Sequence, residues 1–265
     1  MEQLLEKSME TTIPDTNKQT RRIKILGFPV DIVDFQQARQ IATEAMIDQK
    51  LFHIVTLNPE MIIQGQKNPE LKNSIFNADL NIPDGVGLLL AMKLNGLSLS
   101  QTVPGIELSE ECLKFAEQNK LPVALLGSKQ ETLDQLLLKF KEKYPSLNIV
   151  YAQNGYFSVE EENSILQELQ NKKPKLLLVA LGVPKQETWI HANKTKLKNC
   201  LVIGVGGSFD VWSGRVKRAP KFFRNYKLEW FYRLISEPFR AKRIFSALPY
   251  FTFQVILEKM KKLVY

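Results

Sequence analysis

The chain has 265 residues, 44% of them hydrophobic and 24% charged, enough to bury one substantial core and too apolar for a largely disordered polymer. Its formal charge of +8 is unevenly placed: residues 215–265 hold 13 Lys and Arg against 3 Asp and Glu, whereas residues 1–214 hold 23 against 25. Cys112 and Cys200 are the only cysteines and stand at no metal-like spacing, which excludes a disulfide framework and fits a reducing, cytoplasmic compartment.

Residues 1–21 mix acids, amides and threonines without the apolar run of a signal peptide, and read as a disordered lead-in. From residue 22 to 213, short apolar runs alternate with segments of helical period. The predicted strands are "IKILG", "FHIVTLN", "LNIP", "PVALLG", "NIVYAQ", "KLLLVALG" and "CLVIGVG". Helical patterns follow near 35–49, 59–67, 85–94, 105–119, 129–143, 158–171 and 184–197. Strands apolar throughout, each followed by an amphipathic helix, predict an α/β domain with a mainly parallel, Rossmann-like sheet covered on both faces. Beyond Gly214 the strands cease, and residues 214–265 read as a basic, aromatic helical appendage that Pro238 and Pro249 break into pieces.

Ligands of such sheets sit where the strands end, so the strand ends carry the candidates. In "TLNPE", Thr56 and Asn58 offer polar contacts to a sugar or phosphate, although Asn58 before Pro59 also fits a helix N-cap. "NIPDGVG" places Asp84 at a strand-to-helix turn, where it fits a general base and equally a turn or cap residue. "GVPKQETW" sets Lys185 and Gln186 at a helix N-terminus suited to an anion, with Glu187 in the first turn where the helix dipole favours an acid. "GVGGSFD" lacks the spacing of a dinucleotide fingerprint. Its glycines admit a ligand close to the backbone, and Asp210 fits either a ribose acceptor or a local cap. His53 and His191 have no partner at metal-ligand or triad spacing and read as strand packing and helix surface. No cofactor motif is visible, and no metal is required.

The stretch "RAPKFFRNYKLEWFYRLISEPFRAKRIF" crowds cations among rings too numerous to leave in water. It reads as an interfacial segment for an anionic membrane surface, since no nucleic-acid module accompanies it. Arg233, Arg240 and Arg243 share a face if one helix holds them.

With "LNPEM", "PDGVG", "VPKQETW" and "GVGGSFD" followed by the Arg218–Arg243 region, the chain resembles the WecG/TagA/CpsF family of bacterial glycosyltransferases from about Lys24 to Arg243. The resemblance implies an inverting, metal-independent transfer of N-acetylmannosamine, or a related hexosamine, from a UDP donor. The implied acceptor is undecaprenyl-diphosphate-linked N-acetylglucosamine, in cell-surface polysaccharide or teichoic acid synthesis at the inner face of the cell membrane. It assigns Asp84 as base and Thr56 and Asn58 as active-site polar groups. Gly155, Tyr156, Gln186 and Asp210 fall to the nucleotide, and Arg233, Arg240 and Arg243 to the diphosphate and acceptor; Arg218, like Lys185, is read as a candidate to supply the diphosphate with the charge of an arginine that the family pattern has and this chain lacks. One departure stands out: the arginine usual before Val-x-Gly is Thr102 here. That leaves open a different UDP-sugar donor, or a non-catalytic UDP-sugar-binding membrane adaptor. Parallel sheets of this size often self-associate, but no interface stripe is readable.

Overall fold

A computed structural model describes residues 20–97, 102–220, 223, 232 and 238–264; the side chains of 238–246 and 262–264 lie outside that description. An antiparallel hairpin opens it, β1 (Arg22–Ile25) and β2 (Phe28–Asp31). The hairpin is tied down by Asp31, which accepts from Arg22 Nε at 2.7 Å and from the Asn81 amide at 2.7 Å.

Six further strands, β3 (Phe52–Leu57), β4 (Leu80–Pro83), β5 (Val123–Gly127), β6 (Ile149–Gln153), β7 (Leu176–Ala180) and β8 (Leu201–Gly204), form one sheet in the order β4-β3-β8-β7-β5-β6, and every pairing is parallel. This is the α/β, Rossmann-like architecture that the uninterrupted apolar strands dictate, because parallel strands need both faces covered. Alternate residues enter different cores. Ile54, Leu125, Leu178 and Ile203 pack with α1 (Phe35–Ile47), α5 (Gly105–Gln118), α6 (Gln130–Lys143) and Phe209 of α9 (Ser208–Trp212). On the opposite face Val55 and Leu57 meet α2 (Pro59–Lys67), α3 (Pro69–Phe76) and α4 (Val86–Leu94), while Leu126, Leu177 and Val202 meet α7 (Val159–Lys172) and α8 (Lys185–Ala192).

The final helix, α10 (Pro238–Val264), runs through Pro249 rather than breaking there as its sequence predicts. Proline removes one backbone donor, and the helix is held instead by packing: Phe251 and Val255 are buried with Met61, Leu88 and Met92. Gln254 Oε1 accepts from Gln66 and Glu258 Oε2 from the Leu26 amide. The opposite face of α10 leaves Tyr250, Phe253, Ile256, Leu257 and Met260 exposed. No helix among the described residues is long and apolar enough to cross a membrane.

Two crevices along the carboxyl edge matter for the site. After β3 the chain enters α2 on one face, and after the adjacent β8 it enters α9 on the other, so the carboxyl ends of β3 and β8 gape apart. The adjacent β5 and β7 lead to α6 and α8 on opposite faces in the same way.

Candidate active site

A cavity of about 530 Å³ fills the first crevice, and its lining draws on Thr56, Asn58, Asp84, Thr102, Gln186 and the loop 205–208. Thr56, next to last in β3, donates to the Gly204 carbonyl at 3.3 Å and so bridges the two strands that frame the opening. A Cβ on Gly105 would lie 2.4 Å from Thr56 Cγ2, which is why the Val-x-Gly motif ends in glycine. Asn58 is the N-cap of α2, its Oδ1 accepting from the Met61 amide at 3.0 Å, and it lines the cavity as well.

Asp84 leaves β4 with its amide bound to the Leu57 carbonyl at 2.8 Å. It is not the cap of the following helix: Gly85, at φ +87°, takes that position and no side-chain cap bond forms. The turn geometry that favoured a capping reading is therefore met by a glycine, the residue that enters this region without strain, while Asp84 lies on the cavity wall. Among the described lining residues the ionisable groups are Glu60, Asp84 and Glu107. Arg218 lies outside that lining but reaches it through Glu107, donating from Nη2 to Oε1 at 2.6 Å.

The second crevice holds a cavity of about 520 Å³ lined by Ser128, Gly155, Tyr156, Phe157, Leu181 and Lys185, with Ala180. Gly155 fits against Leu181, since an added Cβ would come within 2.8 Å of Cδ2. Tyr156 is 71% exposed at the mouth. Lys185 Nζ lies 4.9 Å from the centre of the Phe157 ring and 3.3 Å from the Gly155 carbonyl. Consecutive residues of α8 thus face two cavities: Lys185 the second, Gln186 the first. The structure brings Thr56, Asn58, Asp84 and Gln186 together and puts Gly155 and Tyr156 next door. Asp210 sits on α9 and is in the lining of neither. Arg233 lies outside the described residues, as do the side chains of Arg240 and Arg243.

Two residues read from sequence as packing or dipole pairing do more. Glu187 is fully buried and its Oε2 lies 3.2 Å from Nε2 of the equally buried His53, 134 positions away. Glu187 Oε1 accepts from Gln186 Nε2 at 2.8 Å, and Gln186 Oε1 accepts from the Gly206 amide at 3.1 Å. No local spacing encodes such a chain. Ala247 and Leu248 of α10, which also wall the first cavity, are equally invisible before the helix is docked. Among the described residues no three His, Cys, Asp or Glu side chains converge as a metal site requires.

A parallel α/β sheet whose carboxyl edge opens into two clefts, one with a carboxylate at a strand end, has the architecture of the ligand-binding α/β proteins. The chain belongs to the glycosyl transferase WecG/TagA/CpsF family, whose model matches residues 23–264, and it is a glycosyltransferase. It is 34% identical over 234 residues to the N-acetylglucosaminyldiphosphoundecaprenol N-acetyl-beta-D-mannosaminyltransferase of Bacillus spizizenii (strain W23), covering 88% of this chain and 90% of that one. It is 34% identical to the protein of the same name from Bacillus subtilis (strain 168), over 82% and 84% of the two chains. With that of Staphylococcus aureus (strain MW2) it shares 30% identity over 93% and 97%.

Proposed function

We propose that this chain transfers N-acetylmannosamine, or a related hexosamine, from a UDP donor to N-acetylglucosamine on undecaprenyl diphosphate, with inversion and without a metal. The observation that carries the reading is the position of Asp84, at the carboxyl end of β4 on one cavity with Thr56, Asn58 and Gln186, with Gly85 rather than Asp84 at the N-cap of the following helix. The names of the relatives supply the sugar and the acceptor.

In this reading the uridine lies in the second cavity against Tyr156 and Gly155, and the diphosphate crosses the N-terminus of α8 beside Lys185. The sugar then enters the first cavity past Gln186. Asp210, on α9 outside both linings, takes the ribose only on the strength of the family resemblance. The acceptor hydroxyl oxygen attacks the anomeric carbon opposite the departing UDP. The bond from that carbon to the β-phosphate oxygen breaks with its electron pair on UDP, and the hydroxyl proton passes to Asp84. Charge growing on UDP is met by Lys185, by backbone amides and by arginines of the 214–265 appendage, Arg218, Arg233, Arg240 and Arg243, whose planar forks suit phosphate. Because the first cavity's described lining holds carboxylates and no lysine or arginine, those cations come from beside it. The exposed apolar face of α10 and the basic segment before it support a location on the anionic inner face of the membrane, beside the lipid-linked acceptor.

The test is transfer from UDP-N-acetylmannosamine to a lipid-linked N-acetylglucosamine diphosphate in EDTA, comparing wild type with Asp84→Asn. Loss of a general base lowers kcat by about 10²–10⁴ and leaves UDP affinity unchanged; full turnover in the variant removes Asp84 from the role. One observation favours a second reading, a different UDP-hexosamine donor: Thr102 lines the cavity where the family pattern has arginine. Turnover with another donor and none with UDP-N-acetylmannosamine establishes it.

A further inference from the structure

The buried pair His53 and Glu187 has no part in the transfer steps above, yet with the Gly206 amide it fixes one face of the Gln186 carboxamide. A carboxylate only accepts hydrogen bonds, so Glu187 Oε1 demands that the Nε2 side of the Gln186 carboxamide turn toward it, at 2.8 Å. That leaves Gln186 Oε1 to accept the Gly206 amide at 3.1 Å. The flipped carboxamide sets oxygen against carboxylate and NH₂ against N–H, losing both bonds. Glu187 is held in turn by His53, whose Nε2 lies 3.2 Å from Oε2 with both side chains fully buried. Gly204 is shaped to this arrangement, since a Cβ there would lie 2.5 Å from Gln186 Nε2 and 2.6 Å from Glu187 Oε1. Gln186 itself is 2% exposed, so its visible surface is the edge presented to the cavity.

We propose that His53 and Glu187 are positioning residues of the transferase. They set the carboxamide face of Gln186, and through it the loop 205–208, for the donor's sugar diphosphate. Neither reaches the cavity lining; they act through Gln186. The donor assignment rests on the reading under Proposed function, whereas the orientation of Gln186 and the loop rests on the geometry alone.

Three measurements on the full-length protein decide it. In Glu187→Leu the Nε2 acceptor is gone and only the Gly206 amide holds Gln186, so the carboxamide loses its fixed orientation and the Kd for UDP and the KM for donor rise about tenfold or more while the protein still unfolds cooperatively. Glu187→Gln keeps an oxygen acceptor and can donate to His53 in its other tautomer, so both constants return to within about threefold of wild type. A folded Glu187→Leu protein with wild-type Kd and KM and only a lowered Tm overturns the proposal, because a purely structural pair moves Tm alone. Should the leucine variant not fold, hydrogen exchange in the wild type decides. The Gly206 amide is protected about tenfold or more over that of Gly207, and equal exchange overturns the positioning. If wild-type protein binds no UDP, the functional reading fails, and the exchange measurement still judges the orientation of Gln186.

Discussion

At the scale of single residues, what a position must leave out matters as much as what it supplies. Gly204 ends β8 where Gln186 and Glu187 lie across the strand, within 2.6 Å of any added Cβ. Gly204→Ala therefore forces those side chains apart, with an expected loss of about 1–3 kcal/mol in urea unfolding; a variant as stable as wild type shows that the loop can yield. The cysteines illustrate burial acting on a titratable group. Cys112 is fully buried, and desolvation, with Glu111 adding to it, pushes its thiol up to about 12; burial raises Cys200 as well. Both thiols should stay silent to an aromatic disulfide reagent at pH 8 and react once the protein is unfolded. The sign for stability follows: with the folded value above that of the free thiol, the contribution is complete below about pH 8.5 and is lost as pH rises through the folded value. Melting temperatures measured from pH 8 to 11 should accordingly decline less steeply in Cys112→Ala than in wild type. Asp84 was legible as a candidate because its strand-end turn is a local pattern, whereas the partner of His53 was not, being set by the pairing of distant elements.

At the scale of elements, α10 carries two apolar faces, one buried in the core and one exposed. Phe251 is buried among the residues of α2 and α4, and truncating a ring of that kind costs about 3–5 kcal/mol. Phe251→Ala should lower stability by that order in a denaturant titration, while Phe253→Ala, whose ring is exposed, should fall within about 0.5 kcal/mol of wild type. The core strands were readable because buried parallel strands are apolar at every position, as in "KLLLVALG". The elements that sequence missed are those with weak or conflicting local signals. β2 is four residues with Pro29 inside it, α3 begins at Asn68-Pro69 directly after α2, and α9 spans five residues. Pro249 reads as a breaker because local propensity is a weak prior against burial of Ala247, Phe251 and Val255 around it.

For the whole molecule, the membrane docking proposed above and the packing of the core draw on the same helix, so truncation does not separate them. A chain ending near Gly214 would lose Phe251 and Val255 from the core and expose Met61, Leu88 and Met92, and weak liposome binding by that fragment would say nothing about the intact enzyme. The separable surface is the outward face, where Phe253 and Met260 are 58% and 57% exposed and lie seven residues apart on one side of α10. Burying each such side chain in the interface contributes about 1.5–3 kcal/mol, and glutamate replaces that gain with repulsion from anionic lipid. Phe253→Glu combined with Met260→Glu should therefore cut recovery on vesicles rich in anionic phospholipid by about tenfold or more, with an unchanged Tm and unchanged turnover of a short-chain, water-soluble acceptor. Wild-type binding should weaken with salt, as the basic 215–265 segment requires. Unchanged vesicle recovery in the double variant would assign membrane contact to the Lys221–Glu237 stretch instead of α10. A fall in turnover of the soluble acceptor would mean that this face shapes the active site through Ala247 and Leu248, which wall the first cavity from the same helix.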